Sequence, residues 1–328
     1  MLKKIWFDLL LLLKNQDYKI SENLHNDLLE YPFIFDEKEI SAGKKQRLIN
    51  EFDQDGIPLN KSYIDVEGGK NHYYPITIGQ LGIAVHRTYM RTKSETDKNR
   101  FLKFADWFMQ HKKSHDNYCY WLTDVAKPEY QIFRPWKSAF SQSRAISILL
   151  RAYDITNERI YLDTIDSALN LFYIPYDQDG IMVQTKSGFF YEEYPANEPT
   201  MVLDGHMFIL FAFIELIKQE KKLPEHINKK TQDLFQKGIE ALRETLPDFD
   251  LGFWLRFNLC KMKGYPEIDP CTIGYFRLII NQLRCITRFE EDHKLTNYYL
   301  SFLDYYKLSN IFKAYWLKYK TLRTLKRV

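Results

Sequence analysis

The segment Tyr191–Pro195 (YEEYP) places two carboxylates and two phenols within five residues. Side chains of these types accept and donate protons in general acid–base chemistry. On a regular strand Glu193 faces the side opposite to Glu192 and Tyr194, so all four groups reach one point only if Pro195 or a bulge bends the strand. Taken alone, the segment is also typical of an edge strand with a solvated face.

Other chemistries lack their residue patterns in this sequence. His111 and His115 lie four residues apart, but the glutamate of an HExxH zinc site and a third ligand are absent. Gly68-Gly69 is not followed by the Lys-Ser/Thr of a phosphate loop, and no GxSxG segment is present. The four cysteines form no CxxC pair, so we expect buried free thiols at Cys119, Cys260, Cys271 and Cys285. We therefore expect neither a metal nor a cofactor.

Two identical tetrapeptides (DQDG) occupy Asp53–Gly56 and Asp177–Gly180. They share part of a calcium-loop pattern, but the later ligands of that loop are missing. Asp and Gly also favour tight turns, so we expect turns that lead into strands. The segment Ile181–Tyr194, with Gly188 near its middle, is predicted to be a β-hairpin that carries Tyr191–Tyr194 on its second strand.

Helical segments that must position these groups recur in pairs. The first member of each pair is apolar around most of its circumference, and the second carries charged residues on one face, which predicts an inner and an outer layer. The pairs are Ile76–Met90 with Glu95–His111, Ser138–Asp154 with Arg159–Leu171, Met201–Ile217 with Ile227–Leu246, and Tyr275–Phe289 with Leu295–Leu317.

This alternation predicts a mainly α protein: an α/α toroid with a β-hairpin over its cleft and a short N-terminal extension. A long helical repeat would give the same pattern. We divide the chain into an extension (1–70), with an amphipathic helix and short strands, and a toroid domain (71–328). In a toroid, the ends of the inner helices and the loops between them form the cleft, where a site is expected.

Composition limits the partners. The chain has 328 residues, with 46 basic and 43 acidic side chains that leave a net charge of only +3, which argues against nucleic acid as a partner. Aromatic residues make up 16 %; they suit both a large core and contact with sugar rings. A homodimer is left open.

Both termini raise the question of membranes. The N-terminal leucine run is interrupted by Asp8, ended by Lys14 and followed by no small-residue cleavage site, so we expect a docked amphipathic helix and a cytoplasmic protein. The C-terminal stretch Lys313–Arg327 interleaves six cations with Tyr and Leu. It predicts a solvated final helix, with peripheral membrane contact as the alternative.

Several strings, in order along the chain, resemble the D-glucuronyl C5-epimerases, which invert C5 of glucuronate in heparosan-type polymers to give iduronate. The resemblance runs from about Tyr73 to the C-terminus and includes an α/α-barrel. The strings are Tyr73–Gln80, Pro135–Gln142, Ala145–Ser147, Tyr191–Pro195, Val202–Gly205, Leu255-Arg256, Tyr275 and Ile280–Leu283.

The resemblance implies roles for individual residues and a glucuronate-containing polysaccharide as partner. Catalysis would fall to Glu193, Tyr194 and Tyr275. Arg256 would meet the uronate carboxylate, and the other implied substrate-binding residues are Tyr191, Trp136, Gln142 and Asn281.

The chain departs from the family at two places. A family tyrosine falls on Phe253, which has no hydroxyl, and the family's Asn-Gly-Phe becomes Asp204-Gly205-His206. We predict an isomerase, a glucuronyl C5-epimerase. The alternatives are a uronate polysaccharide lyase, which shares the removal of the C5 proton but then expels the group at C4, and a catalytically silent glycan-binding module.

Overall fold

The structure is a computed structural model that describes residues 18–21, 30–41, 49–62 and 68–325. The helices within these ranges are α1 (Glu37–Ser41), α2 (Pro75–Thr92), α3 (Glu95–His111), α4 (Ala139–Thr156), α5 (Arg159–Asn170), α6 (Leu203–Lys218), α7 (Glu225–Phe249), α8 (Ile273–Phe289), α9 (His293–Leu303) and α10 (Leu308–Thr324). The expected N-terminal amphipathic helix falls in residues 1–17, outside the described residues.

The strands are short and pair only with near neighbours. They are β1 (Ile49–Phe52), β2 (Pro58–Lys61), β3 (Asn71–Tyr73), β4 (Lys113–His115), β5 (Tyr118–Tyr120), β6 (Leu122–Thr123), β7 (Trp136–Lys137), β8 (Met182–Gln184) and β9 (Phe189–Tyr191). β1, β2 and β3 form one antiparallel sheet in that order, and the others pair as β4–β5, β6–β7 and β8–β9. β2 lies in the predicted extension (1–70) and β3 in the predicted toroid domain (71–328), so this sheet contains strands from both. The division of the chain into these two domains stays a prediction.

The predicted two-layer arrangement of helices is confirmed. The inner helices α2, α4, α6 and α8 pack side by side in chain order, and each contacts the helix that follows it, α3, α5, α7 or α9. The inner helix α6 is buried from Leu203 to Leu216, whereas α3 buries one face. At Gly79, an added Cβ would lie 2.5 Å from the Cβ of Arg144, so glycine allows α2 and α4 to approach closely.

Local signals place several helix starts. The hydroxyl of Ser138 accepts the amides of Phe140 and Ser141 at the start of α4, and Ser94 caps α3 in the same manner. Pro75 occupies the first turn of α2, where its missing N–H is not needed.

The prediction of one helix over Leu295–Leu317 is wrong, because the helix is interrupted by a break at residues 304–307, between α9 and α10. The hydroxyl of Tyr305 donates to both carboxylate oxygens of Asp250 at 3.0 and 3.1 Å. This contact lies in the break, and Lys307 then takes an extended conformation before α10 begins. Apolar residues continue through the break, so their spacing alone does not mark it.

The predicted hairpin forms as β8 and β9, with Gln184 paired to Phe189. An added Cβ at Gly188 would lie 2.0 Å from the carbonyl oxygen of Lys237 in α7, so this turn needs glycine to pack there. The strand ends at Tyr191, and residues 192–194 lie outside it. The prediction that the second strand carries all of Tyr191–Tyr194 is therefore wrong, whereas the bend that the chemistry required is present.

The DQDG segments form turns, as predicted. Oδ1 of Asp53 accepts the amides of Asp55 and Ile57, both at 2.9 Å. In the second copy, Asp179 has a positive φ of 61°, and its carboxylate pairs with Lys137 at 2.7 Å. Within the described residues, no helix is both long and apolar enough to cross a membrane.

Candidate active site

The N-terminal ends of the four inner helices meet around the bend that follows β9. Tyr74 directly precedes α2 and Tyr275 lies in the first turn of α8; both lie close enough to Tyr194 to act on it electrostatically. In α6, an added Cβ at Gly205 would lie 2.6 Å from Oε2 of Glu193. The amide of Ala139, at the start of α4, donates to the carbonyl of Glu192 at 3.0 Å. Helix N-termini favour negative charge, so this convergence is suited to an anionic ligand.

Glu193 is a buried carboxyl group at this bend. We call Glu193, Tyr194 and the neighbouring Asp204 the cluster. Glu193 accepts a hydrogen bond from the hydroxyl of Tyr194. Burial raises the pKa of Glu193 to about 7, against the opposing effects of the Tyr194 hydrogen bond and the nearby Lys127 ammonium. A carboxyl group with a pKa near neutrality is suited to accept and return protons at physiological pH.

Asp204 is a second buried acid beside Glu193. Its carboxyl group accepts backbone amides at the start of α6, its own and that of Gly205. Its Oδ1 is buried and has no hydrogen-bond partner within the described ranges. Burial, reinforced by the charge of Glu193, raises the pKa of Asp204 well above its ordinary value. Burial and the neighbouring Glu193 therefore favour the protonated form of Asp204.

Tyr194 lies in an aromatic layer beside the acids. Its ring stacks on Tyr130 at 5.1 Å and lies 5.4 Å from the ring of Trp136. The ammonium of Lys127 lies 5.1 Å from the centre of the same ring. Burial, followed by the negative charge of Glu193, raises the pKa of Tyr194 well above the ordinary phenol value. Tyr194 is therefore a phenol, a proton donor, in the resting site.

Tyr275 lies in the first turn of α8, and Arg256 directly precedes Phe257, whose ring Tyr275 contacts. Tyr275 is 37 % exposed, and its ring packs edge-on against Phe257 at 4.8 Å. Nη1 of Arg256 donates to the carbonyl of Glu267 at 2.7 Å. Its Nε is buried and has no hydrogen-bond partner in the described part of the chain, so the guanidinium retains a donor for a ligand.

The structure does not bring Tyr191 and Gln142 to the cluster. The Tyr191 hydroxyl donates to the carbonyl of Leu234 at 2.6 Å, and its ring is fully buried. The amide of Gln142 donates to the carbonyls of Cys119 and Ala168 at 2.7 and 2.9 Å. These bonds consume the polar groups inside the core, so we assign both side chains to packing and not to substrate contact.

Of the other implied binding residues, Trp136 lies next to the cluster and Asn281 lies within α8. Trp136 donates from Nε1 to the carbonyl of Val125 at 2.8 Å while its ring flanks Tyr194. Asn281 is buried on α8, and its Nδ2 donates to the carbonyl of Arg277 at 2.8 Å. Trp136 therefore belongs to the wall of the site, and Asn281 to the helix beside it.

Glu192 has a structural role next to the site. Its carboxylate accepts the amide and hydroxyl of Thr200 at 3.0 and 2.6 Å and the amide of Met201 at 2.8 Å. These bonds attach the bend to the segment that enters α6. Of the two adjacent glutamates, only Glu193 keeps its carboxyl group for the cluster.

The two departures from the family pattern lie in different surroundings. His206 is buried, with Nδ1 accepting the amide of Tyr191 and Nε2 bonded to the carbonyl of Gly238, both at 3.0 Å. Burial lowers the pKa of His206 to about 4, so it adds no charge near the site. The ring of Phe253 lies 3.7 Å from the ammonium of Lys313 in α10.

Sequence reasoning missed Lys127, Tyr74 and the support behind Tyr130. Nδ2 of Asn258 donates to the hydroxyls of Tyr130 and Tyr265 at 3.0 and 2.6 Å, and the Tyr265 hydroxyl donates to Asp269 at 2.9 Å. Tyr74 stands within a string that signalled the family, but Lys127 has no sequence signal that separates it from other lysines. These residues meet only through the loops between helices.

No three His, Cys, Asp or Glu side chains in the described ranges are grouped to hold a metal ion. The helix ends at His111, and His115 lies in β4, so the two histidines do not share a helical face. All four cysteines are buried free thiols, as predicted. The expectation that the protein acts without a metal or a cofactor stays a prediction.

Comparisons with known proteins agree with the resemblance in the sequence. The model of the family described as D-glucuronyl C5-epimerase C-terminus matches residues 115–304. D-glucuronyl C5-epimerase of Caenorhabditis elegans is 26 % identical over 231 residues, which are 67 % of this chain and 37 % of that protein. An uncharacterized protein of Methanocaldococcus jannaschii is 23 % identical over 142 residues, 42 % of this chain and 44 % of that protein. The chain thus matches less than half the length of either relative.

A solved structure resembles the fold. Cellobiose 2-epimerase from Spirochaeta thermophila matches with a TM-score of 0.51 at 8 % identity, over 80 % of this chain and 65 % of that one. At this identity the likeness concerns the fold alone, and it agrees with an α/α toroid. With a family match over more than half of its residues, the chain belongs to the D-glucuronyl C5-epimerase C-terminal family.

Proposed function

We propose that the protein is a uronate C5-epimerase that converts D-glucuronate to L-iduronate residues in a heparosan-like polysaccharide. The observation that carries this proposal is the buried carboxyl group of Glu193, bonded to the Tyr194 phenol where inner-helix N-termini converge. Membership of the epimerase family supports the same reaction class.

In the proposed reaction, the Glu193 carboxylate removes the proton from C5 of a glucuronate residue. The C5–H bond breaks, an O–H bond forms on Glu193, and the electron pair passes into the C6 carboxylate as an enediolate. The Tyr275 phenol then delivers a proton to the opposite face of C5, which inverts that centre. Both groups return to their resting protonation by exchange with solvent.

The charge that develops on the C6 carboxylate is the difficult part of this reaction. Arg256, assigned to the uronate carboxylate, has an Nε–H without a partner in the described part of the chain. Lys127 supplies a positive charge near Glu193, and helix N-termini direct partial positive charge toward the site. Prearranged donors of this kind stabilise charge that appears only in the transition state.

Asp204 is assigned the role of a neutral acid in this site. A protonated Oδ1 donates a hydrogen bond without adding the repulsion that a second carboxylate would bring to the enediolate. Two neighbouring acids whose environments separate their protonation states can act as a base, Glu193, and a hydrogen-bond donor, Asp204.

Asp204→Asn tests this assignment through the pH dependence of stability. An acid whose pKa is raised by folding contributes stability below its unfolded pKa, and this contribution is lost as pH rises through the folded pKa. Because Asn does not ionise, the variant should lose less stability than the wild type when denaturant unfolding is compared at acid and alkaline pH. Equal pH dependence would refute a protonated Asp204; the exposed Asp55→Asn variant is the control.

Chelation is expected to leave turnover unchanged, because the proposed steps use side chains and the described residues provide no three-ligand group. The measurement is the rate of iduronate formation before and after EDTA treatment and desalting. Complete loss that is restored by a divalent ion would overturn this expectation.

The function is tested by incubating a glucuronate polymer with the protein and identifying the products. Iduronate signals in the NMR spectrum support the epimerase. Ultraviolet absorbance from an unsaturated uronate would indicate a lyase instead, since a lyase expels the C4 group from the same intermediate. Binding to the polymer without either product would indicate a silent glycan-binding module.

A further inference from the structure

The helix α10 exposes a row of large apolar side chains. Leu308, Phe312 and Trp316 are spaced by four residues, so they lie along one face of the helix. They are 68, 72 and 60 % exposed, respectively. A contiguous row of large apolar side chains on a protein surface marks an interaction surface. We call these three residues the α10 stripe.

Basic residues flank the α10 stripe. Lys313, Lys320 and Arg323 are exposed on α10, and the helix sequence Leu308–Thr324 contains no Asp or Glu. The ammonium of Lys320 lies 5.4 Å from the centre of the Trp316 ring. The exposed side of α10 is therefore apolar and basic at once.

The opposite side of α10 is attached to the protein, which fixes the direction in which the α10 stripe points. Ile311 and Ala314 are buried there. The hydroxyl of Tyr315 accepts the amide of Ile273 at 3.2 Å, and Thr321 donates to the carbonyl of Ile268 at 2.7 Å. These contacts hold α10 against the segment that leads into α8 and hence to Tyr275.

We propose that the α10 stripe docks the protein on the surface of an anionic lipid bilayer. Apolar and aromatic side chains of a helix that lies in the bilayer plane enter the headgroup region, and flanking cations bind anionic headgroups. A two-fold contact between copies of this face is disfavoured, because it would bring the cations of α10 together without any acid on that helix. Charge complementarity thus favours the lipid surface.

The proposal is independent of the enzymatic function and has a direct test. The full chain is mixed with vesicles of phosphatidylcholine, with or without phosphatidylglycerol, and sedimented. We expect at least about tenfold stronger binding to the phosphatidylglycerol vesicles, because each basic residue near an anionic surface contributes about 1 kcal/mol, and we expect salt to weaken it. Equal or absent binding to both would refute the proposal.

Variants locate the contact. Phe312→Ser with Trp316→Ser should retain the wild-type thermal unfolding, because both side chains are exposed, and should lose vesicle binding. Phe133→Ser is the matched control, since Phe133 is 73 % exposed and lies outside α10. If the double variant binds as well as the wild type, another surface is responsible. If it instead converts a dimer to a monomer in sedimentation equilibrium, without vesicle binding by the wild type, the occupant is a second copy.

Tryptophan fluorescence gives a second readout. Trp107, Trp121, Trp136 and Trp254 are buried, whereas Trp316 is exposed. Trp6 lies outside the described residues and is replaced by Phe throughout this experiment. Emission should therefore shift to shorter wavelength when phosphatidylglycerol vesicles are added. The shift should disappear in Trp316→Phe, which keeps an apolar side chain and should still sediment with the vesicles. A shift that persists in this variant would contradict insertion of the α10 stripe.

Discussion

Glu193→Gln is expected to lower C5 proton exchange on a glucuronate polymer by at least about 100-fold, the lower end of general acid–base contributions. The amide keeps the shape of the side chain and its place against Gly205, but it does not accept the C5 proton. In the wild type, exchange should increase as pH rises through about 7, because burial raises the pKa of Glu193 to about 7 and the base is the ionised form. The variant should lose this increase.

Glu192→Gln is the matched control for Glu193. It changes the adjacent, equally buried carboxyl group, which is bonded to Thr200 and Met201 and not to the cluster. We expect this variant to lower the melting temperature while exchange per folded molecule remains near the wild-type value. Normal exchange in Glu193→Gln, with loss in Glu192→Gln, would transfer the base role to the other glutamate.

Tyr275→Phe is expected to lower iduronate formation by at least about 100-fold while the fold is retained. Phenylalanine keeps the ring packing against Phe257 and removes only the hydroxyl. Because Glu193 remains in place, proton exchange on its own face should persist. Deuterium should then enter glucuronate in heavy water faster than iduronate forms.

Tyr306→Phe is the control for Tyr275→Phe, since Tyr306 has the same 37 % exposure and packs on Trp254 and Phe276. It should leave both exchange and inversion unchanged. Near-normal inversion in Tyr275→Phe would show that another donor serves the opposite face. Tyr74 would then be the next phenol to test, because it also lies close to Tyr194.

The fold was predictable where one-faced periodicity and caps coincide. The helix over Glu95–His111 was predicted with its observed bounds from its one-faced periodicity. In the structure Ser94 caps its start, and Phe101, Phe104 and Phe108 lie on its buried face. The break between α9 and α10 was not predictable, because it coincides with the contact of Tyr305 and Asp250, which are 55 positions apart.

The candidate site was predictable in part. Residue types drew attention to the segment Tyr191–Pro195, and the resemblance to the family singled out Glu193 and Tyr194 within it. Strand geometry required a bend if the groups of this segment were to meet. The same reasoning gave no reason to exclude Tyr191, whose hydroxyl is used by Leu234 in the core. Lys127 lies near Glu193 because the loop that carries it crosses the ends of the helices. Asp204 lies beside Glu193 because α6 packs against the bend. Neither arrangement has a signal in the sequence.

The central claim is that Glu193 and Tyr275 serve the two faces of C5 in a uronate. Its most direct test is to incubate a glucuronate polymer with the protein in heavy water and to follow deuterium at C5 and iduronate signals by NMR. The two-face arrangement predicts that deuterium enters C5 as iduronate appears, with exchange and inversion keeping pace. Deuterium in glucuronate without iduronate would contradict the two faces, and no deuterium in any uronate polymer would contradict the epimerase itself.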